Sequence, residues 1–168
     1  MHSADVTVIG GGCVGLTAAL GLAQKGFKVI VIDKGTDEVQ LTEPELRVSA
    51  LSAASENILK QVNAWQKADA QRFSAYQTMS VWDKDSFGKI HFDSHDIGHG
   101  RLGHIVENNN LRNGLIEAAR QENNITLLFD TGVKSLHNGE EQVLLTLDDG
   151  TPVVSKLLIA ADGANSWV

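Results

Sequence analysis

The sequence is poor in the residues that cross-link or interrupt a chain. Its 168 residues include one cysteine, Cys13, and two prolines. A single cysteine excludes an internal disulfide and favours a reducing compartment. The N-terminus lacks a basic segment followed by a long apolar stretch, and no apolar run approaches the roughly 18 residues that a membrane helix needs. We therefore expect a cytoplasmic protein without a signal peptide or a membrane span.

Positive charge is also scarce. The formal net charge is −7, and no basic patch is available to neutralise phosphates, which argues against a nucleic-acid partner. Hydrophobic residues at 42% and charged residues at 21% are ordinary for a soluble globular protein. The chain is long enough for one domain with a hydrophobic core.

The first 33 residues have the pattern of a βαβ unit. An apolar run, Asp5–Ile9, predicts a strand, and a helical pattern begins at Val14 after several glycines. Phe27–Ile32 is a second apolar run, which ends at Asp33. A strand without polar alternation is buried on both faces, as in a parallel sheet.

The glycines between the first strand and the helix, residues 10–15, fit the pattern G-x-G-x-x-G. Gly10 permits a tight exit from the strand, Gly12 lets the backbone approach a pyrophosphate, and Gly15 lets the helix press against the sheet. Asp33 lies 18 residues after Gly15, where a carboxylate binds ribose hydroxyls. The alternative is a glycine turn that binds no ligand. The strand, the helix and the acid all stand at the spacing that the dinucleotide-binding motif requires, which argues against that alternative. The sequence predicts a bound dinucleotide. The carboxylate disfavours NADP and leaves FAD and NAD open.

The later segments predict a mixed helix and strand pattern. A second helix spans Leu51–Trp65, and a third helix begins at Asn108, which we expect to act as its cap. The strands are expected at Met79–Trp82, Lys89–Phe92, Ile125–Phe129, Val133–His137, Val143–Leu147, Thr151–Val154 and Leu157–Ala161. Asn138-Gly139 and Asp149-Gly150 are expected to form hairpin turns with positive φ.

These elements predict an α/β fold in which residues 1–75 and 106–168 form the nucleotide-binding domain. Residues 76–105 are expected to be an excursion into a second, β-rich domain. Asp162-Gly163 follows the carboxyl end of the last strand, which is where α/β proteins bind ligands. Arg47 stands among Val, Ser, Ala and Leu, so we expect it to be half-buried against an anion such as a cofactor diphosphate.

Four segments of the sequence resemble one family: residues 46–52, 81–88, 102–108 and 159–166. They are similar to the FAD-dependent ubiquinone-biosynthesis hydroxylases (the UbiH/UbiF/VisC group), and the likeness extends over essentially the whole chain. Within that group the VisC-type subgroup, the 2-polyprenylphenol hydroxylases that oxidise the C5 position of the quinone head-group precursor, is the most similar. The group belongs to a larger class that resembles p-hydroxybenzoate hydroxylase.

The resemblance implies a Rossmann-like FAD-binding domain of three layers (ββα), with a parallel sheet and a β-meander, plus part of a β-rich substrate domain. It implies that the glycine turn binds FAD and that Arg47 lies near the flavin side. Asn108 stands where many relatives carry Arg or Gln against the cofactor, and the backbone of Val133 is expected to meet the adenine. Asp162-Gly163 is expected to hold FAD and to take part in the use of NAD(P)H.

The sequence departs from the family at three points. Asp33 replaces the usual glutamate with a shorter side chain of the same acceptor chemistry, and Cys13 is an unusual residue within the glycine turn. The family has a later Gly-Asp motif for the flavin ribityl region, whereas this sequence ends at Val168 without one. We therefore expect a truncated chain that binds FAD weakly and hydroxylates nothing.

The activity implied by the resemblance is hydroxylation of a polyprenylated phenol. NAD(P)H would reduce the FAD, and one atom of O2 would enter the ring. Such a substrate implies contact with the periphery of the inner membrane and a place in a ubiquinone-biosynthesis complex. No residue is predicted to act as a catalytic acid or base. The alternatives are another FAD- or NAD-linked dehydrogenase of this architecture, or a non-catalytic nucleotide-binding module.

Three further groups of residues have simple structural interpretations. We expect Cys13 to be a small packing residue, because no helper histidine or asparagine is identifiable nearby. Several histidines lie close together in a glycine-containing stretch and are interpreted as parts of a solvated loop or strand rather than a metal site: His91, His95, His99 and His104. The tryptophans are interpreted as core or interface residues: Trp65, Trp82 and Trp167.

Overall fold

The computed structural model describes residues 1–166 and 168, so the prediction for Trp167 lies outside the described residues. Numbered along the chain, its strands and α-helices are β1 (His2–Ile9), α1 (Cys13–Ala23), β2 (Val29–Ile32), β3 (Val48–Ser52), α2 (Ala53–Gln61), β4 (Phe73–Tyr76), β5 (Thr78–Trp82), β6 (Lys89–Asp93), β7 (Gly103–Glu107), α3 (Asn108–Ala119), β8 (Ile125–Leu128), β9 (Val133–Asn138), β10 (Val143–Leu147) and β11 (Pro152–Ala160).

The main sheet has six strands in the order β8-β2-β1-β11-β10-β9. Strands β8, β2, β1 and β11 are parallel, whereas β11, β10 and β9 pair in an antiparallel meander. All four residues of β2 are buried, because this strand is covered on both faces of the sheet. The parallel sheet and the meander confirm the predicted α/β fold.

Apolar side chains form two separate core clusters, one on each face of the parallel strands. The first lies between the sheet and helices α1 and α3, and it includes Leu16 and Leu115. The second contains Ile32 of β2 together with Leu145 of the meander. The meander curls across this second face, since Val133 at the start of the edge strand β9 lines a cavity with Ile32. The three-layer arrangement predicted from the family resemblance is therefore confirmed.

A three-stranded antiparallel sheet, β3-β7-β4, lies beside the main sheet. Leu51 belongs to this sheet and pairs with His104, so its assignment to the second helix was wrong. Helix α2 begins only after Ser52, whose hydroxyl accepts from the backbone N–H of Ser55, and Trp65 lies beyond its end. The strand was missed because its partner β7 lies far away along the chain, and local periodicity carries no signal for such a pairing.

The meander also differs from its sequence prediction. The predicted strands Thr151–Val154 and Leu157–Ala161 are merged into one strand, β11 (Pro152–Ala160), which pairs with β10 at its start and with β1 along its length. In the two hairpin turns, whose residues are all described, Gly150 alone has a positive φ, of 85°. The two predicted hairpins are confirmed, since β9 pairs with β10 and β10 pairs with β11, but the expectation of a positive φ at Asn138-Gly139 was wrong. The loop at Asp149-Gly150 has one residue with a positive φ, and the loop at Asn138-Gly139 has none.

Strands β5 and β6 form a separate two-stranded ribbon. Eight of its ten residues are exposed, and Trp82 is 70% exposed. Trp65, by contrast, packs against the first core cluster with its ring 4.4 Å from that of Phe73. The assignment of residues 76–105 to a second domain stays a prediction. In the described part of the chain, no helix has both the length and the apolar character required to cross a membrane.

A buried carboxylate joins helix α2 to strand β7. The side chain of Glu56 is only 1% exposed, and it accepts hydrogen bonds from His104 at 2.5 Å and from Arg101 at 3.2 Å. Lys60 lies 3.4 Å away on the same helix. A buried charge is tolerated when it is paired and hydrogen-bonded, so this cluster fixes α2 against the small sheet.

Candidate dinucleotide-binding site

The glycine turn is packed tightly against the carboxyl ends of the central strands. The N–H of Gly10 donates to the Ile32 carbonyl at 2.8 Å, and Gly10 has a φ of 111°. A Cβ atom at Gly10 would lie 2.2 Å from the carbonyl oxygen of Ala161, and one at Gly15 would lie 1.9 Å from the oxygen of Gly10. Both positions therefore require glycine for close packing, as the sequence predicts.

Gly12 is different, because its missing side chain faces open space. It is the N-cap of helix α1, its backbone is extended (φ −82°, ψ −178°), and a Cβ atom there would meet nothing within 4 Å. Within the described residues, no side chain caps this helix. The N-terminus of α1 thus presents backbone N–H groups and the positive end of its dipole to an open cradle, which fits an anionic diphosphate.

Asp33 stands beside this turn at the carboxyl end of β2. One oxygen of its carboxylate accepts a hydrogen bond from the N–H of Gly11, and the other accepts from the N–H of Gly35 at 2.6 Å. The half-buried carboxylate is therefore oriented by the backbone on both sides. Each oxygen keeps further acceptor capacity that ribose hydroxyls could use.

A cavity of about 240 Å³ opens next to Asp33. Its lining includes four residues that the sequence analysis selected from four distant parts of the chain: Gly10, Asp33, Val133 and Asp162. Thr131 completes this wall, and its N–H donates to the carbonyl of Asp33 at 3.0 Å. The curled meander is what brings Val133 to the cavity.

The Asp-Gly pair follows directly after β11. Asp162 is half-buried in the wall of this cavity, and its carboxylate accepts a hydrogen bond from the Ser166 hydroxyl at 2.7 Å. Gly163 is exposed, with a φ of 86° that turns the chain away from the strand. The pair therefore stands where α/β sheets bind ligands, with the carboxylate as its cavity-lining member.

A second cavity, of about 490 Å³, lies on the other side of the glycine turn. Its lining includes Gly12, Ser49, Asn108 and Ala161. The two cavities meet at the turn, since Gly10 and Asp162 line the first while their near neighbours Gly12 and Ala161 line the second. An elongated ligand could therefore place a sugar beside Asp33 and cross the helix N-terminus.

Asn108 lines the second cavity but does not cap helix α3. The helix begins at Asn108 with Glu107 as its N-cap residue, and the carboxylate of Glu45 accepts from the N–H of Asn109 at 2.7 Å. The side-chain oxygen of Asn108 instead accepts from the Ser49 hydroxyl at 2.6 Å. The predicted capping role was wrong because a carboxylate distant in sequence takes it.

Arg47 is exposed, so the prediction of a half-buried arginine was also wrong. Its carbonyl accepts from the N–H of Asn108 at 3.1 Å, which brings the two predicted residues together. Among the described residues no carboxylate lies within 4 Å of its guanidinium. Arg47 precedes the first residue of β3, and residues 46–48 are all exposed, so the half-burial that begins at Ser49 does not extend to it.

Arg112 is a site residue that sequence reasoning missed. Its Nε donates to the carbonyl of Gly11 at 2.9 Å, and its Nη2 donates to the carbonyl of Thr36 at 2.7 Å. The guanidinium lies 5.4 Å from the ring centre of Phe129 and lines the second cavity. An arginine one turn into a helix gave no sequence signal, because both acceptors are backbone carbonyls distant along the chain.

Cys13 has the properties of a packing residue. Burial raises the pKa of its thiol, which the nearby positive charge of Arg112 only partly offsets. Its Sγ lies 3.7 Å from the carbonyl oxygen of Asn108. A neutral thiol is a weak nucleophile. In the part of the chain that the structure describes, no group of three or more His, Cys, Asp or Glu side chains is placed to hold a metal ion.

A glycine turn at an open helix N-terminus, an oriented carboxylate on the next strand and a cleft along the strand ends define a dinucleotide-binding α/β protein. Comparison with known families gives the class more narrowly. Residues 3–168 match the FAD binding domain family, and the chain belongs to that family. Membership supports FAD over NAD as the dinucleotide.

Two similar relatives are ubiquinone-biosynthesis enzymes. The chain is 36% identical over 166 residues to 3-demethoxyubiquinol 3-hydroxylase of Escherichia coli, covering 98% of this chain and 42% of the relative. It is 30% identical to the mitochondrial ubiquinone biosynthesis monooxygenase COQ6 of Dictyostelium discoideum, covering 96% and 37%. The chain thus spans about two fifths of the length of these relatives. The family resemblance predicted from the sequence is confirmed.

Solved structures share the fold at low sequence identity. The p-nitrophenol 4-monooxygenase PnpA of Pseudomonas putida superimposes with a TM-score of 0.73 at 18% identity, covering 98% of this chain and 42% of that chain. The flavin-dependent monooxygenase PieE, solved with FAD and substrate, gives 0.68 at 21% identity, covering 98% and 31%. These similarities support the same architecture for the present chain.

Proposed function

We propose that the intact protein is an FAD-dependent monooxygenase that hydroxylates the aromatic ring of a polyprenylated phenol in ubiquinone biosynthesis. The observation that carries the proposal is the open, uncapped N-terminus of α1 at Gly12, in register with the Asp33 carboxylate. Membership of the FAD binding domain family and similarity to ubiquinone hydroxylases supply the rest of the support.

The cofactor would lie along the cleft with its diphosphate at the glycine turn. Gly10, Gly12 and Gly15 shape that turn, and the first N–H groups of α1 would donate to the phosphate oxygens. Asp33 would accept hydrogen bonds from the adenosine ribose, whose position lies beside the cavity of about 240 Å³. The backbone of Val133, on the far wall, would meet the adenine.

Four further residues would help to hold the cofactor. Asn108 and Arg47 lie next to each other at the end of the small sheet, so they would contact the flavin side. Asp162 lines the same cavity as Asp33, so the Asp162-Gly163 segment would help to hold the cofactor there and would take part in the use of NAD(P)H. The exposed guanidinium of Arg47 is free to reach an anionic or polar group of the cofactor, which supports this assignment.

The bound flavin would supply the redox chemistry, with two electrons coming from NAD(P)H. One atom of O2 would be inserted into a ring C–H bond, and the other would leave as water with two protons. The residues of this chain would bind the adenosine and diphosphate half of FAD, orient it and exclude water from the diphosphate. None of them is proposed as a catalytic acid or base.

The ring position and the location of the enzyme belong to the same proposal. C5 of the head-group precursor is the proposed site of hydroxylation, whereas the Escherichia coli relative is named for a reaction at position 3. A polyprenyl tail partitions into lipid, so the enzyme would work at the periphery of the inner membrane, within a ubiquinone-biosynthesis complex. Analysis of the intermediate that accumulates in a deletion strain distinguishes the two ring positions.

The intact protein tests the proposal in two stages. Purified intact protein should show a flavin band in its visible spectrum, and a deletion strain should accumulate a prenylphenol while ubiquinone falls. Supplying ¹⁸O2 should place the label in the hydroxylated ring. A flavin-containing protein whose product carries no label would instead support a dehydrogenase of the same architecture. Absence of a flavin band after addition of FAD would refute the proposal altogether.

The 168-residue chain gives a complementary expectation. It contains the adenosine and diphosphate half of the proposed site, so it should bind FAD weakly and show no hydroxylation. NAD(P)H oxidation coupled to substrate would be followed at saturating FAD. Measurable hydroxylation by this chain alone would contradict the proposed division of the site.

A further inference from the structure

Arg112 connects the glycine turn to the segment that follows Asp33. It projects from helix α3, with one donor on the Gly11 carbonyl at 2.9 Å and another on the Thr36 carbonyl at 2.7 Å. We propose that Arg112 is a positioning residue for the cofactor diphosphate, which it serves by orienting the glycine turn and by adding positive charge to the cleft. This inference rests on the proposed FAD site and extends it to a new residue.

The contact between Arg112 and the Gly11 carbonyl sets the direction of one peptide group in the glycine turn. In a trans peptide, the C=O and the N–H point in opposite directions. Because the Gly11 carbonyl is bound to Arg112, the N–H of Gly12 in the same peptide must point away from the guanidinium. On the other side of Gly11, its own N–H is held by Asp33. Arg112 and Asp33 therefore fix the two peptides that lead into the open cradle.

The positive charge of Arg112 has no anionic partner among the described residues. Both acceptors of Arg112 are neutral carbonyls, and in the described part of the chain no carboxylate lies within 4 Å of the guanidinium. The side chain is nevertheless half-buried and lines the cavity that Gly12 also lines. A half-buried cation without an anion is costly. A diphosphate at the helix N-terminus would lie across the Gly11–Gly12 peptide from the guanidinium, so its negative charge would offset the cation through space rather than by direct pairing.

Arg120 offers a matched control on the same helix. It lies two turns further on and also binds the segment after Asp33, through Asp37 at 2.6 Å. It has a second carboxylate, Glu117, at 2.6 Å, so its charge is already balanced. Neither its contacts nor the two cavity linings connect it to the glycine turn. Replacing Arg120 removes a comparable cation from α3 without disturbing the site.

The experiment measures dissociation constants of the 168-residue chain for three probes: FAD, ADP and adenosine. Arg112→Met should weaken FAD and ADP by about tenfold or more, because it removes two charge-assisted donors and the counter-charge. Adenosine carries no phosphate, so its binding should change less than about threefold. Arg112→Lys keeps the charge but cannot bridge both carbonyls, so it should fall between Met and wild type. Arg120→Met should match wild type for every probe.

The control probes separate this inference from the proposed function. If wild type binds neither FAD nor ADP, the proposed site itself fails. If wild type binds them but Arg112→Met binds ADP as tightly, or loses adenosine and ADP equally, the positioning role is overturned. Circular dichroism checks the fold of each variant. If Arg112→Met does not fold, the test rests on Arg112→Lys. An ADP affinity equal to that of wild type in Arg112→Lys would then overturn the positioning role of Arg112.

Discussion

A carboxylate placed at Gly12 should weaken dinucleotide binding without harming the fold. Gly12 is an N-cap residue with extended backbone, and a Cβ atom there meets nothing within 4 Å. Aspartate is a favoured N-cap, and a negative charge near a helix N-terminus is stabilising. We therefore expect the free energy of unfolding of Gly12→Asp to stay the same or rise by about 0.5 kcal/mol.

The same carboxylate would stand where the diphosphate is expected. Two unit charges about 4 Å apart repel by about 4 kcal/mol at an effective dielectric constant of about 20. Gly12 is partly exposed, so solvent screening lowers this to about 2 kcal/mol, which weakens binding by about thirtyfold. Gly12→Asn has nearly the same shape and also caps helices, but it lacks the charge and should lose less affinity.

Equilibrium dialysis against FAD gives the affinities, and urea unfolding followed by circular dichroism gives the stabilities. We expect Gly12→Asp to keep the wild-type free energy of unfolding and to bind FAD more weakly. Wild-type FAD affinity in Gly12→Asp would refute the placement of the diphosphate. A large loss of stability would refute the open geometry of the cradle.

Three further variants or conditions test other parts of the structure. Gly15→Ala would bring a Cβ atom to 1.9 Å from the Gly10 oxygen, so the free energy of unfolding in urea should fall by about 1–3 kcal/mol. Burial acts to raise the pKa of the Glu56 carboxyl, but hydrogen bonds from His104 and neighbouring cations outweigh it and hold that pKa below its ordinary value. The ionised Glu56 carboxylate therefore stabilises the fold above the ordinary carboxyl pKa, and this stabilisation is lost as the pH falls through the lower pKa of the folded state. We expect thermal melts to show that Glu56→Gln destabilises the protein more at about pH 7 than at about pH 3. Because burial raises the pKa of Cys13, alkylation by iodoacetamide near pH 7 should be slow by mass spectrometry, and bound FAD should slow it further.

Each of these expectations has a contrary result. Wild-type stability of Gly15→Ala would mean that the helix does not press on the turn. A Glu56→Gln effect that is equal at both pH values would mean that the ionised carboxylate contributes nothing. Rapid alkylation of Cys13 that FAD leaves unchanged would place the thiol outside the cofactor cleft.

The glycine turn and its acid could be predicted from the sequence because their geometry is local. A strand, a tight turn and a helix follow one another, and Asp33 ends the next strand at a fixed spacing. Parallel strands bring their carboxyl ends to one edge, so Asp162 lies in the wall of the same cavity as Asp33, while its contact with the cofactor stays a prediction. Val133 was chosen through the family resemblance alone, since its approach to the cavity depends on the curl of the meander.

The remaining errors concern contacts between distant parts of the chain. The pairing of β3 with β7 moved Leu51 from a helix to a strand, and Arg47 lies in the exposed segment that precedes β3. Glu45 reaches the N-terminus of α3 and takes the capping role expected for Asn108. Arg112 was missed because its partners are carbonyls, which every residue has. Sequence patterns report periodicity and turn chemistry, but they carry little information about such long-range partners.

The most direct test of the account is competition between FAD and its fragments for the 168-residue chain. Fluorescence anisotropy of FAD should rise on binding at a ratio of one per chain. Excess ADP should displace the FAD, whereas riboflavin should not, because the adenosine and diphosphate half is what the glycine turn and Asp33 hold. Displacement by riboflavin but not by ADP would contradict the central claim.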